Sequence, residues 1–547
     1  MRLHWPFTLL PLVLPHTFAA TADQWRGRSI YQLITDRFAL ADGANLDACN
    51  PADQDYCGGT WNTIRNKLDY IQNAGFTAIW ISPVNQNYQG DRTAYGYPYH
   101  GYWMADITQL NDRFGTQDDL KALISDLHAR DMYLMVDVVV NNVVNPPTCR
   151  EQMATSTNPD YSSYMFKDSS YYHPYCAIDW GNTTSEQLCW LGDETVTLPD
   201  LNTTNPAVVS GYIDWIKNFV QEYDVDGLRI DAAKHVDMQF WPQFCGSAGV
   251  FCMGEVYGGV DVEPVAQYQG PQGLDSVLNY PLQAGLLAAF QIPGDLNVTA
   301  LADVVQQSKQ LFTDTTLLGN FLENQDVPRW ANLSVDPQTM YNAMTFTFMS
   351  DGIPIVYYGQ EQSFSGNSDP YNREPLWPSG YAETYAYTLI QKLNAARNFL
   401  VSNISEADWL TSETEILTQS PHGIAIMKGP VITILTNIGS PAQNGTNIAV
   451  QTPYDSETAF FDVFDCSQWV VGSEGTLDVE YTKGGKAVVL VRSDVLELSD
   501  ICSDQVGVSI VHAAGTGASS ASSGATAGIQ RLAWWAALML PTFWLWS

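Results

Sequence analysis

Eight short β-branched or apolar runs, alternating with helical patterns over the first ~400 residues, constrain this chain more than any other feature. They lie at 29–38, 76–83, 133–140, 225–231, 250–256, 276–280, 319–323 and 353–358. Eight parallel strands separated by helices close into a barrel, so the expected fold class is α/β with a (β/α)8 TIM barrel at its centre. Two of the intervening helices mark their own starts. Thr116 and Asp119 stand in capping-box spacing ahead of Leu120, Leu123, Ile124 and Leu127, which share one helical face over 116–130. Asn205 precedes Pro206 at a first helical turn, followed by Val209, Ile213, Ile216 and Val220.

The rhythm breaks twice. Residues 142–200 are rich in Cys, Tyr, Asn and Pro and read as a subdomain inserted after the third strand. The barrel then occupies 21–141 and 201–400. Beyond it, short strand-like runs at 424–427, 431–436 and 487–491 predict a C-terminal antiparallel β-sandwich over 401–505. A chain of 547 residues exceeds one small core, and 45% hydrophobic content is that of a well-cored globular protein.

Both ends carry processing signals. Residues 1–20 read as a signal peptide, with Arg2, an apolar stretch at 7–14 and Phe18-Ala19-Ala20 as the cleavage region. A Gly/Ala/Ser/Thr-rich stretch at 513–528, then Gln530 and Arg531, then an apolar run at 532–546 form a glycosylphosphatidylinositol (GPI) attachment signal. Ser522, Ser523 or Gly524 is the expected attachment residue, with 506–524 as linker and 525–547 removed. A membrane span would take about 20 apolar residues, more than this run holds. The expected location is extracellular, GPI-anchored to the plasma membrane, the cell wall or both.

Nine cysteines on a secretory route suggest disulfides. Cys49/Cys57, Cys176/Cys189 and Cys466/Cys502 are near enough in sequence to pair, Cys245/Cys252 could add a fourth, and Cys149 is left odd. Sequons at Asn182, Asn202, Asn297, Asn332, Asn403 and Asn444 fit the same route. The net charge of −34 argues against nucleic acid or an anionic membrane face as partner and is compatible with a neutral substrate. Seventeen Trp and 28 Tyr suit packing against sugar C–H faces, although most rings in any protein are core.

Active sites of β/α barrels sit at the C-terminal strand ends. The third run ends in Asp137-Val-Val-Val-Asn141-Asn142 and the fourth in Gly227-Leu-Arg229-Ile-Asp231-Ala-Ala-Lys234-His235. The fifth ends in Gly254-Glu255-Val256 and the seventh in Phe321-Leu-Glu323-Asn324-Gln325-Asp326. Acidic ends on four strands facing one mouth repel one another; structure rarely needs that, whereas glycoside cleavage does. In a retaining mechanism one carboxylate attacks the anomeric carbon while a protonated acid ~5–5.5 Å away protonates the leaving oxygen. A third carboxylate stabilises the developing positive charge and helps keep the acid protonated.

Six motifs in fixed order carry a resemblance. They are Tyr99-His100-Gly-Tyr102-Trp103, Asp137-Val-Val-Val-Asn141, Leu198-Pro-Asp200-Leu, 227–235, Gly254-Glu255-Val256 and Glu323-Asn-Gln-Asp326. Over roughly residues 22–505 the chain resembles glycoside hydrolase family 13, the alpha-amylase family, and within it the fungal alpha-amylases. The resemblance implies Asp231 as nucleophile, Glu255 as general acid/base and Asp326 as transition-state carboxylate, with Arg229 keeping the nucleophile ionised. His100, Tyr102 and Trp103 match the wall of the cleavage subsite, and Gln54, Lys234, Gly259, Asp369 and Arg373 match further sugar contacts. For Ca²⁺, it implies side-chain oxygens from Asn141 and Asp200 and backbone carbonyls from Gln187 and His235, hard ligands that suit this ion.

Two positions depart from the family. Asn142 and Gln325 stand where it has histidines that hydrogen-bond the sugar in the cleavage subsite. Asn and Gln still donate and accept, but neither can become charged. A GPI-anchored group of fungal members is similar in both the tail and these substitutions, and acts mainly as 4-α-glucanotransferases on maltooligosaccharides in a cell-wall α-glucan context. The sequence therefore points to a monomeric enzyme on α-1,4-glucan or maltooligosaccharide that favours transfer, with hydrolytic endo-acting alpha-amylase as the alternative. A non-catalytic glycan-binding module would be expected to lose catalytic carboxylates, and all three are present.

Overall fold

The computed structural model describes residues 20–46, 49–145, 157–403, 409–440, 446–481 and 484–503. Residues 1–19, Cys149, the Asn444 sequon and the expected attachment signal lie outside them.

Eight parallel strands form the centre: β1 (Ile30–Leu33), β2 (Ala78–Ile81), β3 (Tyr133–Val139), β4 (Gly227–Asp231), β5 (Phe251–Gly254), β6 (Ser276–Val277), β7 (Gly319–Asn320) and β8 (Ile353–Tyr357). Strands β1 to β6 pair in sequence order, and β8 pairs with β1 and β7. A Leu278–Gly319 bridge and the Asn279 N–H on the Gly319 carbonyl (2.8 Å) join the sixth and seventh positions and complete the circuit. The strands are shorter than the apolar runs because the chain turns early. The run at 29–38 divides into β1 and a short helix Thr35–Phe38, and that at 276–280 gives way to a helix at Tyr280 capped by the Asn279 side chain.

Parallel strands covered on both faces are apolar almost throughout, while successive residues still alternate in direction. Ile30, Trp80, Met135, Met253 and Ile355 belong to one core cluster, filling the barrel; Leu33, Ile79, Ile81, Val136, Leu228 and Ile230 belong to a second, packed under the helices. The same period of two carries Gln32, Asp137, Arg229 and Asp231 onto the inner side. Asp137 is in register with Arg229, and Gln32 with Trp80. Polar chemistry begins where the apolar plug ends.

The outer helices include α1 (Gln117–His128), α2 (Pro206–Tyr223), α3 (Pro337–Met349) and α4 (Tyr385–Asn403). The expected capping box is formed at Thr116 and Asp119, and Asn205 caps α2 ahead of Pro206. Between β3 and α2 lie the antiparallel pair Leu191–Gly192 and Thr197–Leu198, the Cys176–Cys189 disulfide, and an Asn142–Asp200 bridge that ties this segment to the end of β3.

After α4 come β9 (Glu415–Ser420), β10 (Gly423–Lys428), β11 (Val431–Thr436), β12 (Thr446–Gln451), β13 (Ala459–Asp462), β14 (Gln468–Val470), β15 (Thr476–Tyr481) and β16 (Val488–Arg492). A six-stranded sheet in the order β9-β10-β11-β16-β13-β14 and the pair β12-β15 enclose their own core, with Ile432, Ile434, Ile448, Val450 and Leu477 in it. Asp351 before β8 fixes this unit to the barrel, accepting from the Thr414 N–H (2.8 Å) and Lys428 Nζ (2.9 Å). All four expected disulfides are formed: Cys49–Cys57, Cys176–Cys189, Cys245–Cys252 and Cys466–Cys502. Among the described residues no helix is long and apolar enough to cross a membrane.

Candidate active site

A cleft of about 600 Å³ opens at the C-terminal ends of the strands, and Asp231, Glu255 and Asp326 all line it. At its base, buried Arg229 gathers the carboxylates. One terminal nitrogen is 2.9 Å from Asp137 and 2.8 Å from Asp231; the other is 3.0 Å from Glu255. The strand register explains this assembly. Asp137 and Arg229 are neighbours across β3 and β4, Asp231 follows Arg229 by two residues on the same side, and the Glu255 N–H bonds the Ile230 carbonyl (2.9 Å). Immediately after Asp231 the chain turns through Ala232 in the left-handed region (φ 50°), and the Ala232 N–H donates to Glu255 Oε2 at 2.9 Å. The Tyr280 hydroxyl donates to the other Glu255 oxygen at 3.4 Å.

Burial pushes the Asp231 carboxyl well up, and Glu255, Asp137 and Asp326 add to this; contact with Arg229 is what favours its charged form. Asp326 is pushed up to about 6, by burial and then by Glu255, against Arg373. Arg373 reaches Asp326 at 3.3 Å and Asp369 at 3.1 Å. Glu323, the other acidic residue at the seventh strand end, is not in the cleft. It is fully buried against Arg329 (2.9 Å) and the Trp330 N–H (2.6 Å), a structural role.

The wall is aromatic. The His100 ring stacks on Tyr102 with centroids 5.7 Å apart and meets Trp103 edge-on at 5.3 Å. Burial and nearby Arg373 and Arg37 keep His100 neutral, its pKa well below the usual value. Its Nδ1 accepts from the Tyr102 N–H (3.0 Å), so Nε2 carries the proton. The Tyr102 hydroxyl donates to Asp137 (2.8 Å). Gln54, Lys234, Asp369 and Arg373 also line the cleft, and Lys234 Nζ pairs with Glu186 at 2.9 Å.

Three expected sugar contacts stand apart from the cleft lining. Gly259 is exposed on the loop after Glu255. Asn142 is buried, its Oδ1 accepting from the Asn141 amide (3.3 Å). Gln325 is buried behind the wall: its Nε2 donates to the Tyr102 hydroxyl (2.9 Å), and its Oε1 accepts from Gln32. Conversely, Tyr95, Trp180 and Tyr257 line the cleft without having been anticipated. Tyr257 follows Glu255 by two, a spacing that could have marked it; Trp180 and Tyr95 arrive on loops far away in sequence and gave no such signal.

The four residues of the expected calcium set fall in two adjoining pairs. Asp200 bridges Asn142, next to Asn141, and the His235 Nδ1 donates to the carbonyl of Glu186, next to Gln187 (2.8 Å). Asp200 is buried, with one oxygen 2.6 Å from His173 and Oδ1 lacking a well-formed hydrogen bond. A buried carboxylate with an orphaned oxygen beside an asparagine side chain is a donor set that fits a hard divalent cation. Among the described residues no cluster of three or more His, Cys, Asp or Glu has metal-ligand geometry.

Comparison with known proteins agrees with this geometry. The alpha-amylase catalytic domain model matches residues 32–395, and the alpha-amylase domain C model matches 416–508. An alpha-amylase from Saccharomycopsis fibuligera is 43% identical over 88% of this chain and 94% of its own. Alpha-amylase 1 from Lipomyces kononenkoae is 48% identical over 72% of this chain and 62% of its own. The solved structure of an alpha-amylase from Malbranchea cinnamomea superposes with a TM-score of 0.82 at 42% identity, covering 88% of this chain and all of that one. With three carboxyls in one cleft at the mouth of an eight-stranded barrel, and both domains matched, this chain belongs to the alpha-amylase family of glycosidases.

Proposed function

We propose that the protein hydrolyses internal α-1,4 bonds of α-glucan by double displacement, and the observation that carries this is the pair Asp231 and Glu255 held on one guanidinium. Asp231 attacks the anomeric carbon as the bond to the leaving oxygen breaks, and Glu255 gives its proton to that oxygen. Glu255 then takes a proton from water, whose oxygen displaces Asp231 and regenerates both groups. Asp326 stabilises the positive charge in each transition state. Arg229 favours the ionised nucleophile, and the Tyr102 ring packs on the sugar in the cleavage subsite. Relatives named alpha-amylases at 43% and 48% identity support hydrolysis over the transfer that the two substitutions alone suggest.

A second reading, 4-α-glucanotransfer to another glucan, is supported by one specific observation. The Gln325 amide is committed to Gln32 and the Tyr102 hydroxyl, leaving less hydrogen bonding for the sugar. Sugar acceptors recover such a loss through binding energy in neighbouring subsites, which water cannot use. Incubation with one pure maltooligosaccharide separates the readings: shorter products alone mean hydrolysis, and products longer than the donor mean transfer.

We further propose a Ca²⁺ ion held by Asn141, Asp200 and the Gln187 and His235 carbonyls, joining the 142–200 segment to the barrel. Its contribution would be structural, with no part in bond cleavage. The enzyme is proposed to act as a monomer outside the cell, GPI-anchored to membrane or wall in a cell-wall α-glucan context; release by a phosphatidylinositol-specific phospholipase tests the anchor.

A further inference from the structure

The fold places the sequon at Asn182 on the rim of the catalytic cleft. Asn182 and Thr184 are exposed, on a loop closed by the Cys176–Cys189 disulfide. Trp180, two residues earlier, is 66% exposed and lines the cleft. At a reach of about 3.6 Å per residue, the Asn182 backbone lies within roughly 7 Å of the Trp180 backbone. The loop is also pinned in place. The Gly181 N–H donates to Glu186 Oε1 (2.9 Å), and the Asp179 N–H donates to Ser185 Oγ (2.8 Å). Glu186 pairs with Lys234, its carbonyl accepts from His235 Nδ1, and the Trp180 ring meets the His235 ring edge-on at 5.9 Å. Lys234 and His235 line the cleft themselves.

The Asn182 side chain divides its two polar atoms in a way that suits modification. Its Oδ1 accepts from the Ser185 N–H (3.4 Å), whereas a sugar attaches through Nδ2, so the local hydrogen bond and the glycan do not compete. The surroundings are open as well: no atom lies within 4 Å of the position a side chain would take on neighbouring Gly181.

We propose that Asn182 carries an N-linked glycan that borders the cleft and limits which α-glucans reach it. This rests on the readings that the chain is secreted and that the cleft cuts α-glucan. In the transfer, Asn182 Nδ2 attacks the anomeric carbon of an oligosaccharide carried on a lipid diphosphate. The new C–N bond forms as the C–O bond to the diphosphate breaks; the lipid diphosphate leaves with that electron pair, and the amide gives up one proton to solvent. An N-linked glycan is bulky and hydrated. Held beside Trp180, it occupies solvent that a branched polymer must cross to reach Asp231 and Glu255, and it narrows the orientations from which docking succeeds. A short linear maltooligosaccharide enters without meeting it.

The test uses the full chain expressed in and secreted by a yeast host. Wild type is compared with Thr184→Ala, which destroys the sequon but keeps the Asn182 side chain, and with Thr184→Ser, which preserves the sequon. Enzymatic deglycosylation in heavy-oxygen water converts a glycosylated asparagine to a labelled aspartate. Peptide mass spectrometry should then find the label at Asn182 in wild type and Thr184→Ser, and not in Thr184→Ala. Loss of the glycan should raise kcat/KM on amylopectin about fivefold and change it by less than about twofold on maltoheptaose, with Thr184→Ser behaving as wild type. An unlabelled Asn182 beside a labelled Asn202 or Asn297 would overturn the site. A labelled Asn182 with equal amylopectin rates in wild type and Thr184→Ala would overturn its effect on access. No label at any sequon would overturn the secretory reading and the site together; wild type that cleaves neither substrate would overturn the reading of the cleft, and the access role with it.

Discussion

Replacing Arg373 with glutamine should shift the acid limb of the pH profile upward, because Arg373 is the cation that holds Asp326 in its charged form. The guanidinium lies 3.3 Å from Asp326 and 3.1 Å from Asp369. An opposite charge this close lowers a carboxyl by about 1–3 pKa units. The lower end applies here: Asp369 shares the charge, and 35% of the Asp326 side chain faces the cleft, where water screens it. Asp326 starts from about 6, pushed up by burial and Glu255. Losing the cation favours the protonated form, so activity that needs the carboxylate should be lost at higher pH, with the limb moving up by roughly one unit. The assay is kcat/KM on maltoheptaose against pH, each curve scaled to its own plateau because Arg373 also lines the cleft. Arg373→Lys keeps the charge and should keep the limb near its wild-type position. A glutamine variant whose scaled curve superimposes on wild type would refute the reasoning, since Asp326 would then not set that limb.

Asp231→Asn should lower kcat by about 10⁴-fold or more, with the melting temperature within a few degrees of wild type because Arg229 keeps Asp137 and Glu255; substantial residual turnover of maltoheptaose would count against Asp231 as nucleophile. Chelation should lower the melting temperature by about 5 °C if calcium is present near a hundredfold over its Kd, and recovery on adding calcium but not magnesium would identify the ion. Asn142→His with Gln325→His should raise hydrolysis relative to transfer on maltotriose, measured as the ratio of shorter to longer products. An unchanged ratio would mean that acceptor contacts elsewhere, Tyr257 and Trp180 first among them, set the outcome.

What the sequence disclosed follows from how local each signal is. The Thr116 capping box and the Asn205-Pro206 start were legible because a helix start is written within four residues, and both appear as expected. The strands were legible as apolar runs, yet β6 and β7 keep two residues each, since hydrogen-bonding to a neighbour, not apolarity, ends a strand. Asp231, Glu255 and Asp326 were found through motifs, and the cleft does bring them together. The partners of Arg229 were not legible as a set: Asp137 is 92 residues away and joins it only through the register of two parallel strands. Gln325 shows the limit most clearly. Its motif position suggested a sugar contact, but the partner that takes up its Oε1 is Gln32, brought from β1 by closure of the barrel.

The central claim is retaining cleavage of an α-1,4 bond through a covalent intermediate on Asp231. Proton NMR of the first products released from maltoheptaose, recorded before mutarotation, tests it most directly. The account predicts new reducing ends in the α configuration; β-configured ends, which require a single inverting displacement by water, would contradict it.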